Sequence, residues 1–200
     1  MNNKRYKQVL DILDESGIIR PKDLELKGIP REYLVRLRKL GLVKRTGRGL
    51  YIKSDMKPGE HYSLAEAAKK VPKGVVCLLS ALNFHKLTSE IPFEVWMAID
   101  VKAWMPGGDN VPLRIVRFSK EALSTGIEDH IVEGVKVRIY NPAKTVADCF
   151  KYRNKIGLDV ALESLRECWR QRICTIDQIW KYAGVCRVSN VIRPYLDSLE

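Results

Sequence analysis

Two hundred residues, 46% of them apolar and 30% charged with only 13 Gly and 9 Pro, make an ordinary globular composition, long enough for one large domain or two small ones. That balance excludes a disordered chain, a collagen-like chain and a disulfide scaffold. The net charge of +11 is lopsided: residues 1–57 hold 15 Lys and Arg against 7 Asp and Glu, the remainder 20 against 17, so a polyanionic partner belongs with the first quarter of the chain.

The longest apolar stretch, Val75–Leu79, falls far short of the roughly 20 residues that span a bilayer. Met1-Asn2-Asn3-Lys4-Arg5-Tyr6 lacks the apolar core of a signal peptide, and the expectation is a cytoplasmic protein with no membrane partner. The five cysteines, Cys77, Cys149, Cys168, Cys174 and Cys186, are odd in number and never spaced as C-x-x-C. That predicts buried free thiols rather than a disulfide framework or a zinc site.

In chain order, Asn3 is a candidate cap for a helix over 3–16, with Tyr6, Val9, Leu10 and Leu13 on one stripe and Gly17 ending it. Pro21 opens a short second helix through Leu24 and Leu26, closed by Gly28, and Pro30 opens a third that runs to Leu40 before Gly41. On this third helix Tyr33, Leu34, Leu37 and Leu40 share one side. Arg31, Glu32, Val35, Arg38 and Lys39 share the other, with Arg36 on the flank. Two β-prone runs in 42–52 then enclose the turn Arg45-Thr46-Gly47-Arg48. Three helices and a hairpin predict a winged helix-turn-helix that binds double-stranded DNA. Arg31, Val35, Arg38 and Lys39 would read bases, Arg36 and Lys44 would contact the flank or phosphates, and Arg45 and Arg48 would form the wing's share. A 57-residue unit is marginal alone and is expected to lean on the rest of the chain or on a second copy. A dimer would prefer an inverted repeat.

The polar segment 54–60 serves as the linker, which sets the expected domains at 1–57 and 58–200. Ser63 to Glu66 has the spacing of a capping box, and Ser80 is a candidate cap within the apolar run 75–87. Phe93, Val95, Met97 and Ile99 alternate with Glu94, Trp96, Ala98 and Asp100 as one face of a half-buried strand. Gly107-Gly108 marks a turn, and strands are expected over 113–118, 127–132 and 135–140, the last two as a hairpin across Glu133-Gly134. From Asn141, a cap before Pro142, the pattern turns helical, with a second capping box at Thr175 to Gln178. The whole is an α+β chain: a winged helix, then a mixed domain with a mainly antiparallel sheet and a helical C-terminal part.

The three histidines are scattered, no phosphate-binding glycine loop or nucleophile motif is present, and no metal or cofactor is expected. Asp100-Val101-Lys102 after a strand, with Glu94 before it, keeps open a Mg²⁺-dependent nuclease. A winged-helix regulator with a ligand-sensing second domain is the other alternative.

The sequence also resembles a known family. Residues 37–45 (Leu-Arg-Lys-Leu-Gly-Leu-Val-Lys-Arg), Gly49-Leu50-Tyr51, residues 79–88 (Leu-Ser-Ala-Leu-Asn-Phe-His-Lys-Leu-Thr), Ile91-Pro92, residues 134–148 (Gly-Val-Lys-Val-Arg-Ile-Tyr-Asn-Pro-Ala-Lys-Thr-Val-Ala-Asp) and the helix 158–169 together resemble the AbiEi-type antitoxins of type IV toxin–antitoxin systems. The resemblance implies a non-enzymatic repressor that binds inverted repeats in its operon promoter, as monomer or dimer and cooperatively. It also implies a second domain that counteracts an AbiEii-like nucleotidyltransferase toxin, with no stable complex required, in phage defence. Lys144, Asp148, Lys151 and Arg153 lie in or beside its best-matching helix and are the antitoxicity candidates, although Asn141 and Asp148 also suit capping or surface roles.

Overall fold

The computed structural model describes residues 3–106 and 111–199, so the turn expected at Gly107-Gly108 lies outside the described residues. The chain divides into two compact units. The first comprises Met1–Pro72, Pro106–Pro112 and His130–Val137, and the second Lys73–Met105, Leu113–Asp129 and Arg138–Glu200.

In the first unit, α1 (Asn3–Ser16) buries Val9, Ile12 and Leu13 and half-buries Tyr6 and Leu10, so the expected stripe forms and gains Ile12. α2 (Pro21–Glu25) starts on Pro21, and Asp23 accepts the Arg20 backbone N–H at 2.9 Å, which satisfies a donor that the helix start leaves free. Leu24 is buried, but Leu26 lies past the last helical residue and is exposed. α3 (Glu32–Lys39) buries Leu34 and Leu37; Leu40, expected on the same face, is the C-cap and stays 60% exposed. β1 (Val43–Gly47) and β2 (Leu50–Lys53) pair antiparallel with a register shift between Arg45 and Gly47. Ile19 exchanges backbone hydrogen bonds with Tyr51 at 2.9 and 3.0 Å, adding a third short strand position beside β2.

α4 (Tyr62–Lys70) begins before Ser63, with His61 as its cap. The expected capping box therefore does not form, and Glu66 turns inward, where burial pushes its carboxyl up. Lys69 binds Asp23 at 2.9 Å and so ties α4 to α2. Burial works against the Asp23 carboxylate, but the Lys69 ammonium and the Arg20 N–H hold it below the usual carboxylate range. The turn Glu133-Gly134, also in this unit, packs on the end of α1. A Cβ on Gly17 would overlap the Glu133 carbonyl, and one on Gly134 would stand 2.6 Å from the Glu15 carbonyl oxygen. Both glycines also have φ in the left-handed region, +59° and +73°.

The second unit is built on β3 (Val75–Val76), α5 (Leu78–Phe84), β4 (Val95–Asp100), β5 (Leu113–Phe118), α6 (Lys120–Ser124), β6 (Ile127–Val132) and β7 (Val135–Tyr140). The tip of the β6–β7 hairpin counts with the first unit. The sheet order is β5-β4-β3-β7-β6. β3 runs antiparallel to β4, yet parallel to β7, and β4 runs parallel to β5 over its whole length. The sheet is thus mixed, correcting the expectation of a mainly antiparallel one. Alternation along a strand reports which face is buried and carries no information on partner direction.

Ser80 does not cap α5, since Cys77 holds that position; instead its Oγ, inside the helix, accepts the Trp96 N–H at 2.9 Å and ties α5 to β4. Phe93 precedes β4 and is 90% exposed rather than sharing the face of Val95 and Met97.

The chain ends in α7 (Pro142–Lys151), α8 (Arg153–Ile156), α9 (Leu158–Arg170), α10 (Ile176–Cys186) and α11 (Ser189–Leu196), and buried residues of α7, α9, α10 and α11 share one core with residues of β3, β4, β5 and β7. The Asn141 side chain accepts the Lys144 N–H and Pro142 takes the first helical position, while Thr175 and Gln178 form the expected capping box of α10. Residues 143–150 are all buried, so α7 is the central helix of this core, packed by α5, α9 and α10. Cys77, Cys149 and Cys186 are buried free thiols, but Cys168 and Cys174 form a disulfide, which corrects the expectation of five free thiols. The turn after α9, with Arg172 at φ +53°, brings the two Cα atoms within 6.2 Å. Among the described residues no helix is long and apolar enough to cross a membrane.

Candidate nucleic-acid interface

α3 is short, and its two buried leucines define which way it faces. At 100° per residue, Glu32 and Lys39 point about 170° from the Leu34–Leu37 midline, and Val35 and Arg36 about 130° to either side. Arg31 and Arg38 sit nearer the margin, at about 90° and 70° on the Val35 side. With Leu40 outside the buried face, Arg36 stands as far out as Val35 rather than on a flank. Arg31, Val35, Arg36, Arg38 and Lys39 are all exposed.

Tyr33, which periodicity assigned only to the core, has a second use. Its half-buried ring packs edge-on against Tyr6 with centroids 5.7 Å apart, and the Arg36 guanidinium lies 5.5 Å from its centroid. The ring thereby restricts where Arg36 points. The signal was in the sequence, as an aromatic three residues before an arginine on one helix.

The hairpin offers its cations unevenly. Lys44 Nζ donates to the Ser54 carbonyl at 3.2 Å, and Arg45 Nε donates to the Gly47 carbonyl at 2.8 Å, which folds Arg45 back along β1. The turn itself is Arg48-Gly49, not the expected Arg45-Thr46-Gly47-Arg48, because β1 continues to Gly47. Arg48, exposed in the turn between β1 and β2, makes no hydrogen bond or ion pair among the described residues. One face of α3 and one hairpin tip, in the same compact unit, therefore present solvated cations to a polyanion.

The four residues considered for antitoxicity separate into two pairs. Lys144 and Asp148 are fully buried and joined at 2.6 Å. The Lys144 ammonium also lies 4.2 Å from the Tyr140 ring centroid and 4.9 Å from that of Phe118. The Cys186 thiol donates to the other Asp148 oxygen at 3.1 Å. Burial pushes the Asp148 carboxyl up, with Lys144 and the thiol opposing it. Burial likewise raises the Tyr140 phenol and the Cys77, Cys149 and Cys186 thiols, and lifts Tyr152 to about 12, so none of them is an activated nucleophile near neutral pH. The surface role considered for Asp148 gives way to that of a core strut. Lys151 is exposed at the end of α7, and Arg153 is half-buried with Nη1 donating to the Phe150 carbonyl at 2.9 Å.

The Asp100–Lys102 motif does not assemble as a metal-binding group. Asp100 Oδ1 accepts the Lys102 backbone N–H at 2.8 Å, which caps the turn after β4, and Glu94 is bound to Arg114 at 3.1 Å. Arg117 Nη1 organises the same loop by donating to the Val101 and Ala103 carbonyls at 2.8 and 2.9 Å. Among the described residues, no three His, Cys, Asp or Glu side chains are grouped to hold an ion.

Residues 7–52, from within α1 to within β2, match a family model described as the transcriptional regulator, AbiEi antitoxin. Over this segment the resemblance to AbiEi-type antitoxins holds, and it falls on the elements that carry the exposed cations. Among solved structures, the crystal structure of the RV2827C protein from Mycobacterium tuberculosis superposes with a TM-score of 0.60 at 11% identity, covering 90% of this chain and 71% of that one. At that identity the likeness is one of fold. None of the curated proteins matches the chain.

Proposed function

We propose that this chain is a DNA-binding autoregulator of the type IV antitoxin class, with a winged helix-turn-helix over residues 1–57 and an antitoxin domain over 58–200. The observation that carries the reading is the coincidence of the AbiEi-regulator match with α3, whose outward face bears Val35, Arg36 and Lys39 with Arg31 and Arg38 at its margin. A B-form major groove about 12 Å wide admits one such helix. The α3 side chains reach base edges there, while Lys44, Arg45 and above all Arg48 contact phosphates beside the groove. Two copies on an inverted repeat in the chain's own operon promoter give repression, and the protein acts in the cytoplasm without catalysing a reaction.

The second domain counteracts a nucleotidyltransferase-like toxin, and a stable complex with it is not required. Lys151, which ends α7, and Arg153, which opens α8, are the accessible members of the four candidates, and Lys144 and Asp148 hold α7 in the core.

Binding of the full chain to the duplex upstream of its own gene, measured across a salt series against a scrambled duplex of equal length, tests the regulator. Preference for the upstream duplex with affinity falling steeply in salt is expected. Equal, weak binding to both overturns it. Co-expression with an adjacent nucleotidyltransferase gene tests the antitoxin: restored growth is expected, and unrelieved toxicity with the protein present overturns that half.

A further inference from the structure

The outward stripe of α3 is not uniformly basic. Glu32 and Val35 stand on it one turn apart, beside Arg36 and Lys39. Glu32 is exposed and makes no hydrogen bond or ion pair among the described residues, and Val35 is 46% exposed. Neither suits a surface built only to hold phosphates, because a carboxylate is repelled by the backbone and an isopropyl group gains nothing from it.

Base edges favour both. In the major groove cytosine presents an N4 amino donor, which a carboxylate accepts, and thymine presents a C5 methyl, which an aliphatic side chain covers. Adenine also offers an amino group, but its N7 acceptor lies alongside and repels a carboxylate. Three residues along a helix advance about 4.5 Å, comparable with the roughly 3.4 Å between neighbouring bases of one strand, so the two side chains suit adjacent positions.

We infer that Glu32 and Val35 make the α3 face selective for pyrimidines on one strand, Glu32 accepting from a cytosine amino group and Val35 covering a thymine methyl. The inference rests on the DNA-binding reading above and adds to it the source of sequence choice. Lys44, Arg45 and Arg48 supply the affinity that every duplex shares, whereas Glu32 costs affinity on every duplex that offers it no donor.

The test uses the full chain and a pool of randomised duplexes. The enriched duplex is remade with deoxyuracil for each thymine in turn, and separately with each cytosine position changed. Binding is then compared for wild type, Val35→Ala and Glu32→Gln, all checked for unchanged melting. At one thymine, deoxyuracil is expected to weaken wild type about fourfold, the worth of one methyl-sized group, and to leave Val35→Ala unaffected. Glu32→Gln is expected to bind the scrambled duplex more tightly and to lose about fivefold or more of the preference for one cytosine. Equal binding of thymine and deoxyuracil duplexes by wild type, the same loss in Val35→Ala, or an unchanged cytosine preference in Glu32→Gln each overturns the inference while leaving DNA binding intact. A pool that is retained with no duplex enriched overturns the inference, and a pool that is not retained at all overturns the DNA-binding reading together with it.

Discussion

Two helices carry basic residues beside an acid and use them in opposite ways. α3 buries only Leu34 and Leu37 and leaves Glu32, Arg36, Arg38 and Lys39 in water, where a charge keeps its hydration and remains available to a partner. α7 is buried along residues 143–150, and its Lys144 and Asp148 satisfy each other inside an aromatic and thiol-lined core. Burial of the neighbours, and not the charge itself, separates a ligand-facing group from a structural one. Once dehydrated, a charge has value only with its partner in place.

The comparison breaks most severely at the buried pair. Lys144→Ala is expected to cost about 3–5 kcal/mol, because it strands a carboxylate in the core, whereas Lys144→Met combined with Asp148→Leu recovers much of that loss. Urea unfolding of both variants checks it, and a single-variant cost near zero would mean that the pair is not a strut.

A backbone test follows in size. Gly134→Ala is expected to cost about 2 kcal/mol or more, since its φ is +73° and the new Cβ meets the end of α1. An unchanged melting temperature would contradict the close approach.

On the exposed helix the expected effects fall on DNA rather than on folding. Arg36→Ala should weaken specific binding by about 1–3 kcal/mol with stability unchanged. Arg48→Ala should weaken all duplexes alike and lower the salt slope by about one. A titration against the upstream and scrambled duplexes at several salt concentrations separates the two patterns.

The smallest effect concerns Glu163, whose carboxylate accepts from the Ser89 N–H at 2.9 Å, the Ser89 hydroxyl at 2.9 Å and the Thr88 hydroxyl at 2.8 Å. Burial opposes the charge more than any single donor favours it, but these three donors together hold the carboxyl below its ordinary value. Its contribution is therefore present above the ordinary glutamate pKa, about 4.3, and is lost as pH falls through the lowered folded value. The difference in melting temperature between wild type and Glu163→Gln should be visible at pH 7 and vanish toward pH 3. A difference that persists there would show that packing, not ionisation, sets it.

Much of this was legible along the chain. The α1 stripe, the hairpin after α3, the strands 113–118, 127–132 and 135–140, and the caps at Asn141 and Thr175 follow from periodicity and capping chemistry, which act over a few residues. The misreadings have two causes, the partner that lies opposite a side chain and the point at which an element starts or stops. Ser63 to Glu66 and Ser80 have the residue types of caps, but what a hydroxyl or carboxylate bonds depends on which element lies opposite, as when Ser80 meets Trp96 from β4. Leu40 and Phe93 fit an apolar pattern and still face water, because the helix ends before one and the strand starts after the other.

By itself, then, the sequence determined the local elements, the concentration of positive charge in the first 57 residues and the candidate face of α3, since all three depend on composition and on spacings of two to four residues. Only the tertiary structure decided the direction of β5 and β7 in the sheet, the bridging of Cys168 to Cys174, and the burial of Lys144 with Asp148. Each depends on what a crossover or a turn brings alongside from elsewhere in the chain, and that is a property of packing rather than of any local pattern.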